Sequence, residues 1–349
     1  MITCNIVTSD RSVSLQRVAF EIKDVLCKYG VRVRRIILSP NANPYLYRDV
    51  NGAIVVMTFD PAWVIPYLLI ARELRVQGKF GIFYTTVEGR VLRTHADEWI
   101  YRDLTFIANS QYTKTKIEEA GGVVDMVIYH GVNVKKIQEQ SWMRRHIRKK
   151  LDLREDDFVV GYIAAGYIRK GHKLFADVIR KVHEKDKSIK FVVLTDKKGA
   201  EHYQDVEDVI LIPEFGKLTE EFIYGLYHSL DLYAHAALAE GFGLPVLESL
   251  AAGVPVVHAN FKPLTEITSD LTSFRVPTME INYVREMGAI EYELHIYDPS
   301  DFADMILYAK DLILKDREEY RARCIRRARA FDSSKMYKTF TDLMYKTVM

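Results

Sequence analysis

The chain has 349 residues, 48% hydrophobic and 28% charged, with a formal charge of +2. It is long enough for two separately cored domains, too apolar for a disordered chain, and too near neutrality to predict nucleic acid as a partner. Cys4, Cys27 and Cys324 lie far apart with no metal-ligand spacing, which fits a reducing, cytoplasmic setting. The apolar start meets Asp10 and Arg11 too soon for a signal peptide, and no later run reaches the roughly 18 uncharged apolar residues of a membrane span.

Ile2 to Thr8 reads as a buried strand. Val18, Ile22, Val25 and Leu26 then recur at helical spacing, and Gly30 stops that helix. Val31–Leu38, Ala53–Phe59, Phe80–Tyr84, Thr105–Ala108 and Val123–Tyr129 read as further strands, with helical patterns at Ala62–Val76 and Gln111–Ala120. Strands separated by helices predict crossover units and a parallel sheet.

A basic stretch follows, in which Arg144, Arg145, Arg148, Lys149 and Lys150 crowd, and the alternation then restarts. Phe158–Ala164, Phe191–Leu194, Val209–Ile212, Leu230–His235 and Val254–His258 are the strands of this second series, and the chain from about Ser300 reads as helical. The expected class is α/β, with two doubly wound units. The boundary falls within Asn133–Asp157, and we place the domains at 1–150 and 151–333, with a terminal helix at about 334–349 packing back on the first. Ligands of such sheets sit beyond the carboxyl ends of the strands, so two of them facing each other create a cleft.

The most informative segment is 235–258, His-Ala-Ala-Leu-Ala-Glu-Gly-Phe-Gly-Leu-Pro-Val-Leu-Glu-Ser-Leu-Ala-Ala-Gly-Val-Pro-Val-Val-His. Pro245 suits the first turn of a helix that Gly253 ends. Gly241 and Gly243 let the backbone approach a ligand, and the helix start favours an anion such as phosphate. Glu240 lies on the loop and Glu248 about one turn inside the helix, where a carboxylate can accept hydrogen bonds from sugar or ribose hydroxyls. The bland alternative is a generic strand–loop–helix turn with two solvated glutamates.

The whole pattern, Glu240-Gly-Phe-Gly-Leu-Pro245 with Glu248 and then Ala251-Ala-Gly-Val-Pro-Val-Val257, resembles the donor-binding signature of the family 4 retaining glycosyltransferases. Gly161 to Lys173 is similar to that family's diphosphate-binding segment, with Arg169 and Lys170 matching its basic end. Ala164-Ala165 stands where the family commonly has Gly-Arg. Ile107–Ser110, Ile128–Asn133 and Pro213–Leu218 resemble further family segments, the last being the loop that receives the nucleotide base. Glu266 fits the glutamate after the final strand.

The resemblance implies a GT-B fold and a hexosyltransferase-type enzyme. It would move a sugar, with retention, from a nucleotide-diphosphate sugar, UDP- or GDP-linked, to a hydroxyl of a glycan, a lipid-linked acceptor or a small molecule. No cofactor or metal is implied, and no Asp-x-Asp dyad offers itself for one. Glu240 is the catalytic candidate. Arg169, Lys170, Gly241, Phe242, Gly243, Leu244 and Glu248 are the donor-binding candidates, and Phe215, Gly216, Lys217 and Leu218 form the base loop.

The first domain matches less well. Ser9-Asp10-Arg11-Ser12 replaces the family's Gly-Gly loop, and Phe83–Gly89 has no histidine, so Ser9, Asp10, Arg11, Thr86 and Glu88 are acceptor-side candidates. Trp142–Lys150 reads as an amphipathic helix with a cationic face. Its plain reading is a solvated hinge helix, and its sharper one is peripheral contact with anionic lipid headgroups. A sugar phosphorylase, a sugar-nucleotide epimerase and a non-catalytic nucleotide-sugar-binding protein stay open as alternatives.

Overall fold

The structure is a computed structural model that describes residues 1–10, 12–38, 47–92, 105–286 and 288–348. By internal contacts the chain divides into two units. The first comprises 1–133, 283–292 and 331–349, and the second 134–282 and 293–330.

The first unit contains β1 (Thr3–Thr8), α1 (Val13–Lys28), β2 (Arg32–Leu38), β3 (Gly52–Thr58), α2 (Pro61–Val76), β4 (Phe80–Thr86), β5 (Gly89–Val91), β6 (Thr105–Ala108), α3 (Gln111–Glu119) and β7 (Val123–Val127). The Ser12 hydroxyl accepts from the Leu15 N–H and caps α1, whose residues Leu15, Val18, Ala19, Ile22, Val25 and Leu26 form the buried stripe. Six strands pair in the order β2-β1-β3-β4-β6-β7, all parallel. The chain runs from β1 to β2 and then returns to place β3 on the other side of β1. The loops after β1 and β3 therefore diverge, and this is the sheet's topological switch point. Phe59, Phe83 and Phe106 meet edge to face in the core beneath it.

The second unit opens with α4 (Val134–Gln138) and α5 (Met143–Lys150). It continues through β8 (Val159–Ile163), α6 (His172–Lys185), β9 (Lys190–Leu194), α7 (Lys197–Ala200), β10 (Val209–Ile212), α8 (Glu220–Ser229), β11 (Leu232–His235), α9 (Leu244–Ala252), β12 (Val256–Ala259), α10 (Leu264–Ile267) and β13 (Ser273–Val276). Six parallel strands pair in the order β10-β9-β8-β11-β12-β13. Here the switch point lies between β8 and β11. Both are buried along their length, as the near-continuous apolar runs of a sheet covered on both faces require.

Two strands follow that the sequence reading did not anticipate, β14 (Glu280–Val284) and β15 (Ile290–Ile296). Residues 290–292 of β15 pair antiparallel with β5, and the Asp60 carboxylate accepts from the Ala289 N–H at 2.9 Å. Segment 283–292 thus counts with the first unit. Helices α11 (Pro299–Lys315) and α12 (Arg317–Arg329) complete the second unit, and α13 (Ser333–Met336) and α14 (Lys338–Val348) lie in the first. The Tyr337 hydroxyl accepts from the Gly131 N–H at 3.0 Å, and Val132 bridges to Asp332.

The division at Asn133 differs from a boundary at 150, because α4 and α5 pack with the second unit. Asp231, just before β11, explains α5. Its carboxylate meets Arg148 at 2.8 Å, Arg317 at 2.6 Å and Arg144 at 3.3 Å, and accepts from the Val159 N–H at 2.9 Å. The Arg148 side chain is 1% exposed and also donates to the carbonyls of Ser229, Arg154, Glu155 and Asp157. The reading of 142–150 as a solvated cationic face is therefore corrected at Arg148, because its charge is taken up inside the unit. Trp142, Arg145 and Lys149 stay exposed. Among the described residues no helix is long and apolar enough to cross a membrane.

Replacing Asp231 by Ala would strand the buried Arg148 charge. We expect Asp231→Ala to destabilise the second unit by about 3–5 kcal/mol, read as a shift of its urea unfolding midpoint. A second expectation concerns acid. Burial lowers His172 and His228 to about 4 and His258 to about 3, against an ordinary value of 6.5. Below pH 6.5 the unfolded chain takes up protons at these positions while the folded chain does not. Their contribution to stability is complete above pH 6.5 and falls as pH drops towards 4, by about 1.4 kcal/mol per pH unit for each histidine. Urea midpoints measured from pH 7.5 to 5 should decline well above the carboxylate range.

Candidate functional site

The loops that leave β8 and β11 at the switch point carry most of the donor-side candidates. After β8 the chain runs through Ala164–Tyr167 into a 3-10 turn at Ile168–Lys170. Arg169 and Lys170 therefore precede α6 rather than opening it. Gly171 then adopts φ +68°, and a Cβ there would lie 2.3 Å from the Ala236 carbonyl oxygen. Only glycine allows both the left-handed backbone and this close approach of the two loops.

The loop after β11 is held from both sides. The N–H groups of Leu238 and Ala239 donate to the Arg169 carbonyl at 2.8 and 3.3 Å. From the other side, the His295 N–H donates to the Leu238 carbonyl at 2.8 Å and the Tyr297 hydroxyl to that of Ala236 at 3.2 Å. The Tyr162 hydroxyl donates to the Lys170 carbonyl. This framework fixes where the next residue, Glu240, points.

Glu240 is 6% exposed. Its Oε1 pairs with Lys170 Nζ and lies 3.1 Å from His235 Nε2. Burial alone would raise its pKa, but Lys170, then His235 and Arg169, outweigh burial and hold the carboxyl well below the usual carboxylate range. Burial moves His235 the other way, downward, against the pull of Glu240. The site thus contains a buried, ionised carboxylate, a cation on the neighbouring loop and a neutral imidazole. His235 escaped the sequence reading as a site residue, although it stands five residues before Glu240 at the end of an apolar strand.

Gly241, Phe242 and Gly243 are buried, and Leu244 is half-buried. Gly243 has φ +99° and precedes the first turn of α9, with Pro245 inside that turn. Glu248 lies on α9 and is 4% exposed. Phe215–Leu218 follow β10 at the sheet's edge. Phe215 is anchored by its N–H on the Thr195 carbonyl at 2.9 Å, Gly216 has φ +78°, and Lys217 is exposed. Glu266 lies on α10, with its carbonyl accepting from Arg327. The structure therefore brings Arg169, Lys170 and Glu240 together and leaves the base-loop candidates at a separate strand end.

In the first unit, Ser9 and Asp10 follow β1 at that unit's own switch point, and both carbonyls accept from Gln16. Arg11 lies outside the described residues. Thr86 ends β4 and is buried, its carbonyl accepting from the Phe59 N–H, while Glu88 is half-buried on the turn before β5. Asp60, after β3 on the opposite side of the switch point, was missed, and its carboxylate is engaged with Ala289.

Comparison with known proteins bears on the fold and the enzyme class. Residues 143–273 match the family model described as glycosyl transferases group 1, a span that contains every donor-side candidate named above. The chain is 28% identical over 94% of its length, and 97% of the relative's, to "Uncharacterized glycosyltransferase 335" of Sulfolobus islandicus rod-shaped virus 1. It is 24% identical, over 70% of this chain and 69% of the relative, to a putative glycosyltransferase, EpsD, of Bacillus subtilis. A glycosyltransferase crystal structure from Rickettsia africae superposes with a TM-score of 0.75 at 15% identity, covering 99% of this chain and 98% of that one. Anabaena HepE in complex with UDP and glucose superposes with a TM-score of 0.67 at 14% identity, covering 98% and 99%. The chain is a glycosyltransferase with the GT-B fold. The glycosyltransferase carries the Lys170–Glu240 pair at the switch point of the second sheet.

Proposed function

We propose that this glycosyltransferase moves a sugar, with retention of anomeric configuration, from a nucleotide-diphosphate sugar to an acceptor hydroxyl. The donor would bind at the switch point of the second unit. The observation that carries this reading is the Lys170–Glu240 pair, a cation and an ionised carboxylate on the two loops beyond β8 and β11. Ligands of open parallel sheets gather at such a point.

On this reading the start of α9 and the side chains of Arg169 and Lys170 receive the diphosphate. Charge grows on that group as the glycosidic bond to it breaks, so cations fixed beforehand stabilise the transition state more than the ground state. Glu240 orients the donor sugar and steadies positive charge at the anomeric carbon. The departing phosphate accepts the proton of the acceptor hydroxyl, on the same face of the sugar. Glu248 accepts hydrogen bonds from sugar or ribose hydroxyls, and Phe215–Leu218 receive the base. The UDP and glucose bound to the Anabaena fold neighbour make UDP the first nucleotide to test.

The test separates binding from chemistry. Calorimetry should show UDP or GDP binding weakened about tenfold or more in Lys170→Ala and in Arg169→Ala, the loss of one charge-assisted contact each. Glu240→Ala should retain nucleotide binding and lose about 100-fold in transfer rate, as expected when transition-state charge loses a fixed partner. NMR of the product should show the donor's anomeric configuration. Unchanged nucleotide affinity in the cation variants, or full transfer by Glu240→Ala with every donor, would refute the assignment.

A further inference from the structure

A histidine at position 235 is unexpected for a strand end buried as deeply as this one. Its neighbours Leu232, Tyr233 and Ala234 are buried and largely apolar, and the imidazole is 1% exposed. Leucine would fill such a place without the cost of desolvating two ring nitrogens. The ring is also held by packing. Tyr162 stands edge-on at 6.4 Å between centroids, and Tyr233 is tilted against it at 5.8 Å.

Its two nitrogens face different partners. Nε2 lies 3.1 Å from Glu240 Oε1, and Nδ1 lies 3.4 Å from the Tyr233 hydroxyl, which itself is 3.2 Å from the Ile163 carbonyl oxygen. The approach of Nε2 is close but not aligned as a hydrogen bond while Lys170 holds Oε1. An ionised carboxylate only accepts hydrogen bonds, so a bond between the two needs the proton on Nε2. Among the described residues both side-chain partners of Glu240, Lys170 and His235, end on Oε1.

The two partners differ in kind. Lys170 carries its ammonium on a flexible four-carbon stem, part of a 3-10 turn, and is the cation a diphosphate would attract. His235 sits on a strand with its ring clamped. Resting on the donor-site reading above, we propose that His235 is the positioning residue for Glu240. As a neutral imidazole protonated at Nε2, it takes over Oε1 as donor and steadies the carboxylate for the donor sugar when the diphosphate draws Lys170 away.

The charged and titratable groups around the ring are Glu240, Lys170 and Arg169 from the two loops, Tyr162 on β8, Tyr233 on its own strand and His258 on β12. Burial, supported by Lys170 and Arg169, keeps the ring neutral against Glu240.

Two measurements test the proposal. The first is NMR of the full-length protein labelled with 15N-histidine, assigned by the resonance lost in His235→Gln. From pH 6 to 8, with and without UDP, His235 should show a neutral ring protonated at Nε2. A proton on Nδ1 instead, or an imidazolium across that range, overturns the proposal whatever the enzyme's donor proves to be. The second is kinetic. His235→Leu should lower kcat by about 10–100-fold with the donor KM within about twofold, since a misaimed catalytic group costs rate rather than donor affinity. His235→Gln keeps an N–H at similar reach and should recover most of that loss. Equal losses in both variants, or a loss confined to KM, would count against positioning. If His235→Leu does not fold, the tautomer and the kcat of His235→Gln decide. Absence of nucleotide binding in the wild type would defeat the donor reading alone, leaving the tautomer result standing.

Discussion

An ionised carboxylate removed from water is among the most costly groups a protein can bury, by several kcal/mol unless partners compensate it. Glu240 is such a group, and much of the second unit's local design follows from keeping it charged. Lys170 must reach it from another loop, so the loops after β8 and β11 must touch. They touch because Gly171 has no side chain to block Ala236 and because the Arg169 carbonyl accepts from Leu238 and Ala239. The strand order places the two loops side by side in the first instance. A single electrostatic requirement therefore links sheet topology, one glycine's backbone angle and the path of residues 236–240.

Asp231 shows the same principle used for structure. It too is a buried carboxylate among cations, but its ligands are arginines from α5 and α12 and the Val159 N–H, and it ties helices to the start of β11. The two acids stand at opposite ends of one short strand. Asp231 is surrounded by guanidinium groups that reach several carbonyls as well, which leaves little freedom to rearrange. Glu240 has one ammonium on a long side chain and one clamped imidazole, both close to the same oxygen. That difference separates a clasp of several guanidinium groups from a carboxylate whose cation could be drawn off, as the proposed donor site requires.

Much of the fold was legible in the sequence because parallel strands buried on both faces read as continuous apolar runs, as at Val159–Ile163 and Val256–Ala259. The places of Glu240 and Gly243 on the loop and of Glu248 on the helix were legible because loop and helix start are written consecutively. β14 and β15 were not, although Ile290, Tyr292, Leu294 and Ile296 alternate with polar residues as a half-buried strand should. β14 carries residues that are mostly exposed, so it leaves no burial signal at all. Arg148 was misread because composition shows a charge and not its partner, and Asp231 lies 83 residues away. His235 was overlooked for a related reason: within an apolar strand, periodicity treats it as one more buried residue.

The first unit has its own switch point, between β1 and β3, yet what stands there is differently engaged. The Ser9 and Asp10 carbonyls accept from Gln16 on α1, and the Asp60 carboxylate accepts from the Ala289 N–H. Gly288 is required beside it, since a Cβ there would lie 1.9 Å from Asp60 Oδ2. The long-range segment 283–292 is thus pinned beside that switch point. The chain uses one switch point to hold a distant part of itself and the other to hold a charge pair. Identical sheet logic thus leads to different local solutions, and among the described residues the Lys170–Glu240 pair is one that joins two loops by opposite charges alone.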